Sequence, residues 1–215
     1  SQANNYGGLM GDACEDTDSD TVLDEADNCP VNSNPGQENL DGDPFGNVCD
    51  TEIIFSSCGT SINSPNTTYY LGASIVNSGG PVCVNISSGA TNSIIDCIDN
   101  TFSITTSVAG TSAVNNAAVG VTIRNCTINA TGNGSIGISS SRRINVVNNT
   151  ITAPNNGKGV NLTGSSMSSS SITNNIISAS QVGGASYGVD IANGTPDISG
   201  ITITGNNFCG GNQWA

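Results

Sequence analysis

The 215-residue sequence contains no histidine, only four Lys and Arg, and few aromatics (4%). Without histidine and without a CxxC pair, zinc chemistry of the usual Cys/His kind is excluded. So few cations leave no basic patch to neutralise phosphates, and nucleic acid is not an expected partner. No apolar run approaches the length of a membrane span, so no spanning helix is expected. The chain opens with SQANNYGG rather than a charged and apolar leader, which reads as a mature or trimmed form.

What is present is acid and cysteine. The formal net charge is −13. Residues 1–52 hold thirteen Asp or Glu and no base, whereas residues 53–215 balance Asp96, Asp99, Asp190 and Asp197 against Arg124, Arg142, Arg143 and Lys158. That asymmetry places a domain boundary near Glu52. Uncompensated negative charge at this density calls for bound cations. The eight cysteines point to disulfides and hence to an extracellular or cell-surface location.

Within residues 12–50 two windows have the ligand spacing of a calcium loop, in which alternate oxygens wrap a hard cation. Asp16, Asp18 and Asp20 take positions 1, 3 and 5 of the first, with Asp24 at 9 and Asp27 at 12. Asn39, Asp41 and Asp43 take the same positions of the second, with Asn47 at 9 and Asp50 at 12. Backbone carbonyls of Val22 and Phe45 would fill position 7, and Asp12 would belong to a site upstream. Residues 1–11, small and glycine-rich, read as a flexible tail, a truncated repeat or an arm that docks on a neighbour.

This stretch resembles thrombospondin type 3 repeats. The residues that carry the resemblance are the alternating aspartates, then Asn28-Cys29-Pro30, Asn34-Pro35, Gln37, and the closing Gly46-Asn47-Val48-Cys49-Asp50. The sequence departs from the pattern at loop position 6, where Thr21 and Pro44 replace glycine, and at Asn39, which replaces aspartate. The resemblance implies a nearly coreless segment held in shape by Ca2+ and disulfides.

From Thr51 onward the composition turns to Asn, Ser, Thr, Gly, Val and Ile, and it repeats. The segments IDCIDNTFSIT (95–105), VTIRNCTINA (121–130), INVVNNTITA (144–153), SITNNIISA (171–179) and ITITGNNFCG (201–210) align on a polar pair whose second members are Asn100, Cys126, Asn149, Asn175 and Asn207. A second element recurs between them: VCVNIS (82–87), SIGIS (135–139), GVNLT (159–163) and GVDIA (188–192). At least two short alternating strands per period of roughly 23–32 residues predict a solenoid, with stacked asparagines along its axis. A β-sandwich is the alternative. The opening, CGTSINSPNTTYYLGASIVNSGGPVCVNIS followed by IIDCIDNTFSI, resembles the first coils of right-handed parallel β-helix proteins. The expected architecture is therefore all-β, a parallel β-helix over 51–215 preceded by the calcium-binding segment.

In this reading Ile95, Cys97, Phe102, Val121, Ile123, Ile128, Val146, Ile151, Ile172 and Ile177 point inward from one sheet. Val84, Ile86, Ile136, Ile138, Val160, Leu162, Val189 and Ile191 do so from the other. Cysteine connectivity is open among 105 arrangements. Sequential pairing would join Cys14–Cys29, Cys49–Cys58 and Cys83–Cys97, leaving Cys126 and Cys209 too far apart to bond. Eight Asn-x-Ser/Thr sites (Asn66, Asn85, Asn125, Asn129, Asn133, Asn148, Asn161 and Asn193) are close to the number that composition alone produces. Glycosylation would favour turns such as Asn66 and Asn133. Alignment places Asp99 beside Arg124, a pair expected to be a surface ion pair.

No catalytic residues are assigned. The expected function is an extracellular structural or adhesive protein that self-associates by head-to-tail stacking. The alternatives are a polysaccharide-processing β-helix enzyme and a non-catalytic carbohydrate-binding protein.

Overall fold

A computed structural model describes residues 14–39, 44–49, 53–77, 79–99, 103–180, 185–192, 198–210 and 212–214. The proposed arm at 1–11, Asp12, Asp41, Asp43, Asp50, Asn100, Phe102, Asn193 and Asp197 lie outside the described residues. The chain divides into two compact units, residues 1–52 and 53–215. Among the described residues there is no α-helix, and hence none long and apolar enough to cross a membrane.

The second unit is a parallel β-solenoid with three sheets. The first contains β1 (Ile53–Phe55), β3 (Thr68–Leu71), β6 (Ile94–Asp96), β9 (Val121–Arg124), β12 (Ile144–Val147), β15 (Ser171–Thr173) and β18 (Thr202–Thr204). The second contains β2 (Thr60–Ile62), β5 (Val82–Ile86), β8 (Ser112–Asn116), β11 (Ile136–Arg142), β14 (Lys158–Ser166), β17 (Tyr187–Ile191) and β20 (Asn212–Trp214). The third contains β4 (Ile75–Asn77), β7 (Ser103–Thr106), β10 (Thr127–Ala130), β13 (Thr150–Ala153), β16 (Ile176–Ala179) and β19 (Asn207–Cys209). Pairing is parallel throughout, for example Ile123↔Val146, Ile128↔Ile151 and Val114↔Ile138.

Three sheets, not two, make each full coil. The inward set assigned to one sheet is divided between two. Ile95, Ile123, Val146 and Ile172 stack in the first sheet, whereas Ile104, Ile128, Ile151 and Ile177 stack in the third. The polar pair within each of these segments is a corner between two strands. All eight of these side chains are fully buried, each contributing about 1.5–3 kcal/mol of apolar transfer energy.

Asparagine serves the corners in two ways. Asn125, Asn148 and Asn174 adopt left-handed φ of 56–58°, a conformation that asparagine tolerates better than most residues. The next residue inward builds the ladder. Cys126 N donates to Asn149 Oδ1 (2.9 Å), Asn149 N to Asn175 Oδ1 (2.8 Å) and Asn175 N to Asn206 Oδ1 (2.8 Å). Asn149 Nδ2 also donates to Ile123 O and to Asn175 Oδ1. Asn206 rather than Asn207 thus continues the column, because Gly205 takes the left-handed corner position of Asn174 and Asn207 already lies in β19, opposite Ile176.

The second sheet has a kink in which two consecutive residues face the core. Gly137 and Ile138, and Gly159 and Val160, are all buried. A Cβ on Gly137 would lie 2.6 Å from Gly159 O, and one on Gly159 would lie 2.5 Å from Gly188 O. Successive coils therefore approach too closely there for any side chain. The kink turns Ile136 outward to a half-buried position, correcting its assignment to the core.

Three disulfides are formed: Cys29–Cys49, Cys58–Cys83 and Cys97–Cys126. None is a sequential pair predicted above. Cys97 and Cys126 lie on stacked coils with Cα atoms 4.7 Å apart, one strand spacing and within disulfide reach. Cys83 lies in β5 of the second sheet, whereas Cys97 follows β6 of the first. Cys14 and Cys209 are free and exposed. The same register pairs Arg124 with Asp96 and not Asp99: Arg124 Nε lies 2.5 Å from Asp96 Oδ2. Asn125 Nδ2 and Ile98 N donate to the other oxygen.

Candidate metal centre

Among its described residues, the first unit is held by side-chain-to-backbone hydrogen bonds, and Cys29 is its one buried apolar side chain. Asp16 accepts from the N–H groups of Asp20 (3.1 Å) and Thr21 (3.0 Å), and Asp18 also accepts from Asp20 N (3.2 Å). These bonds fold the segment tightly enough to bring Asp16, Asp18 and Asp20 together, with one oxygen of each within 4.8 Å of the others. Asp20 is only 4% exposed. Its Oδ1 accepts from Val22 N (2.9 Å) and its Oδ2 from Asn34 N (2.7 Å), so the Asn-Pro turn is docked on the carboxylate loop.

Asp27 belongs to the same assembly. Its Oδ1 accepts from Cys29 N (2.7 Å) and Gln37 Nε2 (2.8 Å). Gln37 in turn accepts from Asn28 N through Oε1 (2.9 Å). The spacing of Asp27, Asn28, Asn34 and Gln37 thus has a physical reason: each satisfies a backbone or side-chain group of another.

On Asp18 and Asp27 one carboxylate oxygen each stands apart. Asp18 Oδ2 and Asp27 Oδ2 are buried and have no hydrogen-bond partner. A buried anionic oxygen left unpaired is costly. Burial raises the Asp18 carboxyl above its ordinary value, and the charges of Asp20, Asp27 and Asp16 push it the same way. Both observations fit a hard cation held by Asp16, Asp18, Asp20 and Asp27, whose charge would remove the repulsion.

Asp24 is placed differently. It is 4% exposed, and its two oxygens accept from Thr17 N (2.8 Å) and Thr17 Oγ1 (2.7 Å), while Asp24 N donates to Glu15 O. It closes the loop across its mouth. Thr21, at the position where glycine was expected, has φ of 83°. The loop therefore takes the turn that glycine would ease, with a β-branched residue.

Of the second window's candidate ligands only Asn39, Phe45 and Asn47 are described, and Asp41, Asp43 and Asp50 are not. Asn39 and Asn47 are half-buried. Gly46 N donates to Asn28 O and Asn47 N to Glu38 O (both 2.9 Å), folding this window back onto the first. Cys29–Cys49 covalently closes the same loop of sequence separation 20. A closure of that length contributes roughly 3 kcal/mol in the chain-entropy model.

Residues 7–37 match the thrombospondin type 3 repeat family. The matched residues contain all five candidate ligands of the first window and the Asn-Pro/Gln frame. The second window lies beyond them. Type 3 repeats are calcium-binding elements, and the carboxylate cluster sits inside the match. No curated protein and no solved structure matches the chain. Sequence reasoning found the carboxylates by spacing. It missed the bracing roles of Thr17 and Gln37, since neither carries a charge or belongs to the ligand pattern.

Proposed function

We propose that the protein is an extracellular structural element in which a type 3 repeat, braced by calcium, is joined to a rigid β-helix. The observation that carries the calcium reading is the cluster of Asp16, Asp18 and Asp20, beside which Asp27 adds its charge, with one buried oxygen each on Asp18 and Asp27 lacking a hydrogen-bond partner. The second window, through Asn39, Asp41, Asp43, Asn47 and Asp50, is the site of a further ion. The three disulfides and the repeat support a location outside the cytoplasm.

Copies stack end to end in this reading. Ile172 and Ile177 are fully buried, whereas Ile203 and Phe208, one coil further in the same columns, are only partly buried. Another coil laid on β18 and β19 would cover them and pair their outer edges. A role without catalysis is supported by the engagement of two of the solenoid's four cations: Arg124 is paired with Asp96 and Lys158 with Asp190.

Electron microscopy and light scattering of the whole protein, with calcium and with a chelator, test this reading. Filaments in calcium are expected. Monomers at micromolar concentration in calcium would remove the stacking proposal, and absence of calcium binding by calorimetry would remove the metal. Release of unsaturated or reducing sugars from acidic polysaccharides would favour an enzyme instead. Glycan binding without product would favour a carbohydrate-binding protein.

A further inference from the structure

On the outer face of the second sheet, the kink at Gly159 and Val160 brings Lys158 and Asn161 of β14 to the same side. Lys158 Nζ donates to Asn161 Oδ1 at 3.3 Å and forms an ion pair with Asp190 Oδ2 on β17. Asn161 and Asp190 are direct partners across the two strands. The group is secluded: Asn161 is 5% exposed, the Asp190 side chain 14% and the Lys158 side chain 30%. An amine, a carboxamide and a carboxylate are thus in mutual reach at a half-dry surface.

We propose that Lys158 and Asn161 form an intramolecular isopeptide bond, with Asp190 carrying the proton. Asp190 accepts a proton from Nζ, and the neutral amine attacks Asn161 Cγ. The Nζ–Cγ bond forms, the Cγ–Nδ2 bond breaks, and Asp190 returns the proton to Nδ2 as it leaves. Ammonia is released and takes up the remaining proton as ammonium. No oxidant, metal or nucleotide is required. The amide is the electrophile because Asp190, ionised and paired with Lys158, resists attack by an amine. The product closes a ring around Gly159 and Val160 and fixes the kink on which two coils pack. It also consumes the amide of Asn161, removing one potential glycosylation site.

Mass spectrometry of the reduced, full-length protein tests this directly. The expected result is a mass one ammonia below that of the sequence, no tryptic cleavage after Lys158, and no backbone fragments between residues 158 and 161. Lys158→Arg and Asp190→Asn should each restore the full mass, and in Lys158→Arg cleavage after residue 158 returns. Full mass with normal cleavage after Lys158 in the wild type overturns the proposal. So does loss of one water, which would make Asp190 the electrophile. Loss of ammonia mapped to another asparagine, as in a succinimide at an Asn-Gly step, overturns it equally.

Discussion

Gln37 donates its side-chain amide to Asp27 Oδ1 at 2.8 Å while accepting from Asn28 N at 2.9 Å, and so aims the other oxygen of Asp27 inward without a partner. Asp27→Asn should therefore abolish the strongest calcium binding, lowering affinity at least about tenfold, because a carboxylate ligand is replaced by a neutral one. Gln37→Ala should weaken it less, through loss of aim and an unsatisfied Asn28 N–H costing about 1–3 kcal/mol. Isothermal titration calorimetry ranks the two; equal losses would contradict the positioning role.

Acid should act on the calcium-free repeat in the opposite sense to ordinary acid denaturation. Asp18 is raised by burial and by its acidic neighbours, so in the folded segment it binds its proton more tightly than when unfolded. Its destabilising contribution is absent below the ordinary carboxylate range. It appears as pH climbs through the raised folded value. In chelator, protection factors across residues 14–39, taken relative to intrinsic exchange at each pH, should rise on mild acidification. In calcium the trend should reverse, since protonation then competes with the ion.

Thr21 at φ 83° stores backbone strain of order 1–3 kcal/mol. Thr21→Gly should relieve part of it, raising both the repeat's resistance to unfolding and its calcium affinity by a few-fold. Unchanged affinity would mean that the Thr21 side chain recovers the strain through contacts of its own.

Asn149 joins three coils, accepting from Cys126 N and donating to Ile123 O and Asn175 Oδ1. Asn149→Ala should cost about 2–5 kcal/mol, several buried groups losing partners together. Asn145→Ala, at an outward position bonded only to Thr122 Oγ1 (3.3 Å), should cost under about 1 kcal/mol. Denaturant midpoints of the two variants separate a core ladder from a surface pair.

The solenoid was legible because its inner columns repeat Ile and Val at one strand position per coil, as at Ile123, Val146 and Ile172. The third sheet was not, because the corner at Asn125 or Asn148 is a single left-handed residue and leaves no gap in the strand pattern. The disulfides were missed for a related reason. Pairing cysteines by nearness along the chain ignores that one full coil returns Cys126 to Cys97, while the nearer Cys83 lies across the prism. At the metal cluster, alternation located Asp16, Asp18 and Asp20, since spacing alone decides which carboxylates share a loop. It could not tell that Asp24 would turn to Thr17, a choice made by a hydroxyl with no periodic signal.

The column that passes from Cys97–Cys126 to Asn149, Asn175 and Asn206 has a mechanical meaning. Tension applied along the chain must peel a solenoid coil by coil, and hydrogen-bonded corners yield one at a time. The residues between Cys58 and Cys83 and between Cys97 and Cys126, sequence separations of 25 and 29, are shielded from the pull while the disulfides last. Under load the molecule should lengthen from its asparagine end. The disulfide-bonded coils would remain as a reserve of hidden length, about 3.5 Å per residue, that only a reductant can release.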